Sequence, residues 1–468
     1  MPVKAIPPMV ADRALVATTG RSSGVWGNMK KIVLVHPVVR EWAAPNNLPL
    51  GPALIAACLR RAGVQYDVLD DNMLRWPDEK IRMHFAVNQY EFAGISAICH
   101  QYRQVKRWVE LLREVAPETK IIIGGPISQL GAKLIKWLAH PFPEMSLSVW
   151  QGEGEALPER LDDPEGSWKS SLIEADPIED LNALPFPSWQ DFNMIEYAEN
   201  PVGWLNKNKW HDGKPENELV PRSMNLLAAR GCPYTCKFCS HDFMGTSFRV
   251  RSAENILKEM QELWERYSIR YFHLSDDSTM SRPTWLRKFC LAVATHPVLR
   301  GCHWGCAGRV DAASEEMLKL MYASGCRIIG FGVESGSQAM LDVLDKRTKV
   351  EEAVRAVRRA RGLFGSASYS MIVGTPGEND ETIQASIDFC HATETRPEVV
   401  FYLTPLPGAY FYDYALQRKL IPDEEKYMLE LGENSKKISC NISGQPDDWL
   451  RDAKARLEDE TKQYGAAI

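Results

Sequence analysis

At 468 residues, with 45% hydrophobic and 25% charged side chains, the chain has the make-up of a globular protein of about three domains at ~150 residues each. Its formal net charge of −6 offers no basic stripe for a phosphate backbone, and no apolar run reaches the roughly 18 residues of a bilayer span, so neither nucleic acid nor a membrane span is expected. Eleven cysteines without an apolar secretion signal fit a cytoplasmic, reducing setting, where clustered thiols bind metal and isolated ones (Cys58, Cys99, Cys290, Cys326, Cys390, Cys440) fill core space.

Residues 1–28, with GRSSG at 20–24, read as a flexible lead-in. The first strand is the β-branched run at 31–35 (KIVLV), bounded by His36-Pro37. An apolar-periodic helix at 51–62 ends at Gly63. Strands are expected at 66–69 and 92–98, a helix at 102–115, and a strand at 120–123 running into Gly124-Gly125. A last run at 147–150 leads into Gln151-Gly152-Glu153-Gly154-Glu155. Short apolar runs alternating with amphipathic helices predict the α/β class with parallel strands. Here that means a doubly wound, Rossmann-like domain over 29–165, with ligands outside the C-terminal strand ends. Residues 166–222, holding Pro177, Pro185 and Pro187, read as a linker.

Six more strands are expected at 225–229, 271–274, 303–307, 328–333, 368–373 and 399–403, separated by amphipathic helices such as 253–267 and 350–361. Six consecutive strand–helix units over 223–414 predict a partial (β/α)6 barrel with its chemistry on the loops after the strands. Residues 415–468 are charged and read as a short helical cap. No solenoid-type repeat is visible.

Directly after the first barrel strand stands Ala229-Arg230-Gly231-Cys232-Pro233-Tyr234-Thr235-Cys236-Lys237-Phe238-Cys239-Ser240. Three thiolates at CxxxCxxC spacing can hold three irons of a cubane and leave the fourth open. Structural zinc wants four protein ligands, and the neighbouring His241 is poorly spaced to complete such a set. Cys302 and Cys306 repeat a CxxxC spacing and would share one face of a strand, but no third ligand is near, and core packing is the expectation.

The motif, with an aromatic residue (Phe238) just before the third cysteine, resembles the radical S-adenosylmethionine (SAM) superfamily over roughly 222–400. The resemblance implies that Cys232, Cys236 and Cys239 hold a 4Fe-4S cluster. Its open iron chelates SAM, and one electron from it releases methionine and a 5′-deoxyadenosyl radical. SAM-binding candidates at successive strand ends are Phe238, Asp276, Asp277, Arg309, Glu334, Ser335 and Gly374, the last opening Gly374-Thr375-Pro376-Gly377-Glu378.

The N-terminal half resembles the cobalamin-binding domain that precedes the barrel in one radical SAM subclass. The residues that carry the likeness are Leu48 and Gly51 at the first helix, Ser96, Gly124-Gly125, and Gly152-Glu153. Small residues at strand ends let a corrin approach the backbone. Cobalamin proteins that ligate cobalt through histidine use DxHxxG. Here His36 has Leu34 and Val39 where Asp and Gly would stand, so the carboxylate that orients the imidazole is missing, His36 reads as a loop histidine, and cobalt is expected to lack a histidine ligand, as in many radical SAM methylases.

These likenesses imply cobalamin-dependent C-methylation of an unactivated carbon, fed by an external electron donor such as flavodoxin or ferredoxin. The rival reading is a radical SAM dehydratase or cyclase whose N-terminal domain is structural. A methylthiotransferase fits poorly, since the N-terminal domain holds only Cys58 and Cys99. A cluster or cobalamin sensor without SAM cleavage is a non-enzyme alternative. The substrate is a small molecule or peptide, and Trp189, Trp204, Trp210, Tyr402, Tyr410 and Tyr412 are candidates for its pocket or for ordinary core.

Overall fold

Strand alternation sorts the first domain into two buried faces. β1 (Lys31–His36) sends Val33 and Val35 into one core and Ile32 and Leu34 into another. Burial on both faces demands cover on both. The helix Leu50–Arg61 contributes Ala56 and Leu59 to one side, and the helix Tyr102–Val115 contributes Val105, Trp108 and Leu112 to the other. The computed structural model describes residues 31–464, apart from positions 141, 143, 145, 162–167, 169, 201–221, 241, 246 and 366. The expected lead-in lies outside them.

β1 pairs with β2 (Gln65–Asp70) and β3 (Phe92–Ser96), followed by β4 (Lys120–Gly124), β5 (Leu147–Gln151) and β6 (Leu172–Glu174). All are parallel, in the order β2-β1-β3-β4-β5-β6. Chain order therefore reverses between β1 and β3, the switch point at which such sheets bind ligands. β6 falls in the stretch expected to be a linker. It is a three-residue edge strand with Leu172 and Glu174 exposed, so no apolar run announces it.

The second sheet holds β7 (Ser223–Leu226), then, past a two-stranded antiparallel ladder of β8 (Ala229–Arg230) and β9 (Arg249–Val250), β10 (Tyr271–Leu274), β11 (His303–Gly308), β12 (Cys326–Glu334), β13 (Ser368–Val373) and β14 (Val399–Tyr402). Six parallel strands in the order β14-β13-β12-β11-β10-β7 leave β7 and β14 as unpaired edges, which makes this a half-barrel. The first barrel strand ends three residues before the expected 229. The amides of Ala228 and Ala229 donate to Asp276 Oδ1 at 2.6 and 2.8 Å instead of continuing the ladder.

Two features weld the halves. The Leu48 amide donates to Asn225 Oδ1, and Asn225 Nδ2 donates back to the Leu48 carbonyl, both at 2.9 Å and both buried. The helical C-terminal segment braces both halves. Phe411, Tyr412 and Met428 join the core of the first domain, and Tyr102 Oη donates to Glu425 at 2.9 Å. The helix Asp447–Glu460 returns to the half-barrel, burying Leu450 and Leu457 there. Among the described residues no helix is long and apolar enough to cross a membrane.

Replacing Asn225 by Ala leaves the buried amide and carbonyl of Leu48 unpaired. We expect a loss of about 2 kcal/mol in denaturant unfolding, whereas Asn225→Asp, which keeps an acceptor for the amide, should retain part of it.

Candidate functional site

A cavity of about 410 Å3 opens at the switch point of the first sheet and reaches Arg230 and Ser240, which flank the segment that carries the three cysteines. From the first domain it is lined by Leu34 and His36 of β1, Gly94 to Ile98 along and after β3, Gly124-Gly125, Trp150, and Gly152 to Glu155. Gly51 and Ile55 supply the helix side. The second domain contributes Ala229, Arg230, Ser240, Phe243, Met244, Ser275 and Asp277. Gly125 has φ +84°, and a Cβ there would stand 2.7 Å from the Ala97 carbonyl oxygen, so only glycine lets the chain turn at this wall.

The cysteine loop is stapled at its base by the β8–β9 ladder. Gly231 (φ +78°) opens it where a Cβ would collide with the carbonyl oxygens of Ser247 and Gly245. The Cys239 amide donates to the Cys236 carbonyl (3.0 Å), and Lys237 ties the loop to Leu344 and Phe411 through its amide and carbonyl. Cys236 is buried, Cys232 partly so, and Cys239 lies open. Burial first, then the nearby Asp277 carboxylate and the neighbouring Cys236, hold the Cys232 thiol above its usual range. The three thiols sit in one another's field. Among the described residues no set of three donors converges on a single ion. His241 lies outside the described residues.

Around this loop the candidate residues divide by what their polar atoms already do. Arg309 is buried against it: its guanidinium lies 3.7 Å over the Tyr234 ring, Nη1 reaches Cys236 Sγ at 3.9 Å, and Nη2 donates to the Lys346 carbonyl at 2.5 Å. Glu334 adopts φ +69° at a bulge in the β12–β13 pairing, which swings its carboxylate onto Lys346 Nζ at 2.8 Å, both groups being buried. Lys346 Nζ in turn lies 5.6 Å from the Phe238 ring centre. Asp277 is exposed at the cavity wall. Gly374 (φ +104°) donates its amide to Glu378 at 2.5 Å, and burial pushes that carboxyl up to about 7.

Asp276 and Ser335 point elsewhere. Asp276 accepts from Ala228, Ala229 and Thr279, and burial pushes its carboxyl up to about 7 against the pull of those hydrogen bonds. Ser335 is buried beside Ser386 and caps the Ser337 amide. Leu48 packs in the barrel core and does not reach the cavity. Cys302 and Cys306 are core residues.

Glu153 reaches the cavity wall, but its carboxylate is taken. Oε2 accepts from Arg230 Nη1 at 2.7 Å and from the Ile178 amide at 3.0 Å, and Oε1 accepts from Arg249 Nη2 at 2.5 Å. Arg230 also pairs with Glu155. The sequence reading gave no role to either arginine. Their only signal is place, one immediately before Gly231-Cys232 and the other in the strand that pairs with it. Of the aromatic candidates, Trp189, Tyr402 and Tyr412 are buried in the cores, Tyr410 is exposed beside Lys237, and Trp204 and Trp210 lie outside the described residues.

Residues 226–390 match the family model of the radical SAM superfamily, and residues 38–140 match that of the B12 binding domain. The cytidylyl-2-hydroxyethylphosphonate methyltransferase of Streptomyces wedmorensis is 25% identical over 460 residues, covering 85% of this chain and 83% of its own. An anaerobic magnesium-protoporphyrin IX monomethyl ester cyclase of Rubrivivax gelatinosus is 24% identical over 429 residues, covering 85% and 72%. In fold, the chain is similar to the radical SAM methyltransferase TsrM of Kitasatospora setae, solved with cobalamin and a [4Fe-4S] cluster. The TM-score is 0.62 at 17% identity, over 84% of this chain and 76% of that one.

Glu153→Ala leaves buried Arg249 with no carboxylate and Arg230 with Glu155 alone, and we expect a loss of about 3–5 kcal/mol on unfolding. Asp276 gives a pH signature. Its folded pKa lies above the unfolded value of about 3.9, so the folded state holds the extra proton and stability falls as pH rises from about 4 to about 7. Asp276→Asn, which keeps the acceptor oxygen without a titrating proton, should flatten that slope in denaturation curves taken across the window.

Proposed function

Because the chain belongs to the radical SAM superfamily and carries a B12-binding domain, with 4Fe-4S, SAM and cobalamin as the cofactors those families imply, we propose that it is a cobalamin-dependent methyltransferase acting at an unactivated carbon. The observation that carries this reading is the continuity of the cavity. One wall is made of strand ends of the first sheet and the other of the half-barrel residues that flank the cysteine loop, so groups held on the two sides would share one space.

The residues fit both groups. Three thiols on a loop opened by Gly231 supply a cluster's ligand set one short of four, and because iron binds the thiolate form, loading the cluster would displace their protons. The glycines Gly51, Gly94, Gly124, Gly125 and Gly152 keep the facing wall low enough for a flat macrocycle. When bound, the cluster and SAM supply the radical that activates the substrate carbon, and cobalamin supplies the methyl group.

The chain's own work is placement and exclusion of water. Cys232, Cys236 and Cys239 hold the cluster, with Arg309 donating to Cys236 and fixing the loop against Tyr234. Glu334, held by Lys346, and the Gly374 turn flank the SAM position, with Asp277 at the cavity edge to meet its ammonium. Asp276 acts through the backbone it braces. A one-electron donor of the flavodoxin or ferredoxin type feeds the cluster. Apolar walls (Leu34, Ile55, Ile122, Leu157) keep this space dry, which a carbon radical requires.

The second reading, a cyclase, draws on the Rubrivivax relative, which is as similar as the methyltransferase. Anaerobic reconstitution followed by cobalamin and iron analysis separates methylation from the form of that reading in which the N-terminal domain is structural and free of cobalamin. We expect about one cobalamin per chain, with 5′-deoxyadenosine formed under strong reductant. A chain that forms 5′-deoxyadenosine yet retains no cobalamin would sink methylation in favour of the rival. Cys236→Ala should abolish 5′-deoxyadenosine while leaving cobalamin retention intact.

A further inference from the structure

His36 stands at the C-terminal end of β1, beside Ser96 of β3, because the parallel register sets Val35 against Ile95 one residue earlier. Its Nδ1 lies 3.3 Å from the Ser96 carbonyl oxygen. A carbonyl can only accept, so Nδ1 carries the proton, and Nε2 keeps its lone pair in the neutral ring. Burial lowers the ring's pKa to about 4, so the imidazole stays uncharged near neutrality. The ring lines the cavity, and it is the one imidazole among the described residues that does.

The carboxylates and the thioether that line the cavity are engaged or placed elsewhere. Glu153 and Glu155 are bound by Arg230 and Arg249, and Met244 and Asp277 come from the half-barrel side. The missing Asp at position 34 had argued against a ligand role, since an imidazole that binds metal needs an acceptor for its other ring nitrogen. The Ser96 carbonyl supplies that acceptor from the neighbouring strand, and a backbone carbonyl serves as well as a carboxylate in orienting such a ring.

Resting on the reading that this cavity takes cobalamin, we propose that His36 Nε2 is the protein's axial ligand to cobalt. The bond is a dative one from the neutral nitrogen, so no proton or electron changes hands. It replaces the cofactor's own nucleotide base in that position.

The test uses the full chain, reconstituted anaerobically and loaded with cob(II)alamin, with the cluster oxidised so that cobalt alone gives the paramagnetic resonance spectrum. A single axial 14N splits each cobalt line in three, whereas 15N splits it in two. Protein grown on 15N-histidine should therefore show pairs where unlabelled protein shows triplets. His36→Gln should lose the splitting while retaining cobalamin, and added imidazole should restore triplets in His36→Gly. Triplets that persist in the labelled protein would mean that the nucleotide base stays on and would overturn the proposal. Unsplit lines in the wild type would overturn it too, while leaving cobalamin binding intact. A chain that retains no cobalamin overturns this proposal together with the reading on which it rests.

Discussion

The structure turns on one buried carboxylate. Glu153 leaves the first domain at the end of β5 and ends between two guanidinium groups, Arg230 and Arg249, that flank the cysteine loop on paired strands. Burying charge is costly, and an ion triad of this kind gains little over apolar packing in net stability. What it does fix is relative position. The two arginines cannot be solvated where they are and can be matched by Glu153 and Glu155 only if the first sheet docks in one orientation. The cavity between the domains inherits its shape from that docking.

The same economy runs around the cysteine loop. Asp276 holds the chain just before it, Arg309 lies across its middle, and Lys346 joins Phe238 to Glu334. Asp276 and Arg309 follow β10 and β11, while Glu334 ends β12 and Lys346 lies beyond it, and each spends its hydrogen bonds on protein rather than on solvent. Such a frame leaves the thiols as the part of the loop whose partners are still to be supplied. It also explains why residues of similar sequence placement have dissimilar roles, since Asp276 is consumed by two backbone amides and adjacent Asp277 faces the cavity.

Much of this was legible in the chain. Periodicity located the long strands and helices because their apolar residues recur at 2.0 or 3.6, and the helix Tyr102–Val115 has the bounds that its pattern gave. The CxxxCxxC loop, Gly124-Gly125 and Ser96 announced themselves by composition. Three things were hidden. β6 is too short and exposed to carry a pattern. The first barrel strand breaks early because a carboxylate 48 residues later captures its amides. The roles of Arg230, Arg249, Asn225 and Leu48 depend on how two domains meet, and charge or polarity along one segment says nothing about a partner more than 70 residues away.

The C-terminal brace has a consequence for modularity. Two family matches divide the chain into a B12-binding part and a radical SAM part, as though each were a detachable unit. The polypeptide nevertheless returns, after its last barrel strand, to complete the core of the part with which it began, placing Phe411, Tyr412, Tyr427 and Met428 beside residues of the first sheet's helices. Leu48 and Ala53 reciprocate by packing into the half-barrel. Cut between the modules, either piece would bare a face that the other was made to cover. Inheritance treats this chain as two parts, and its thermodynamics treats it as one.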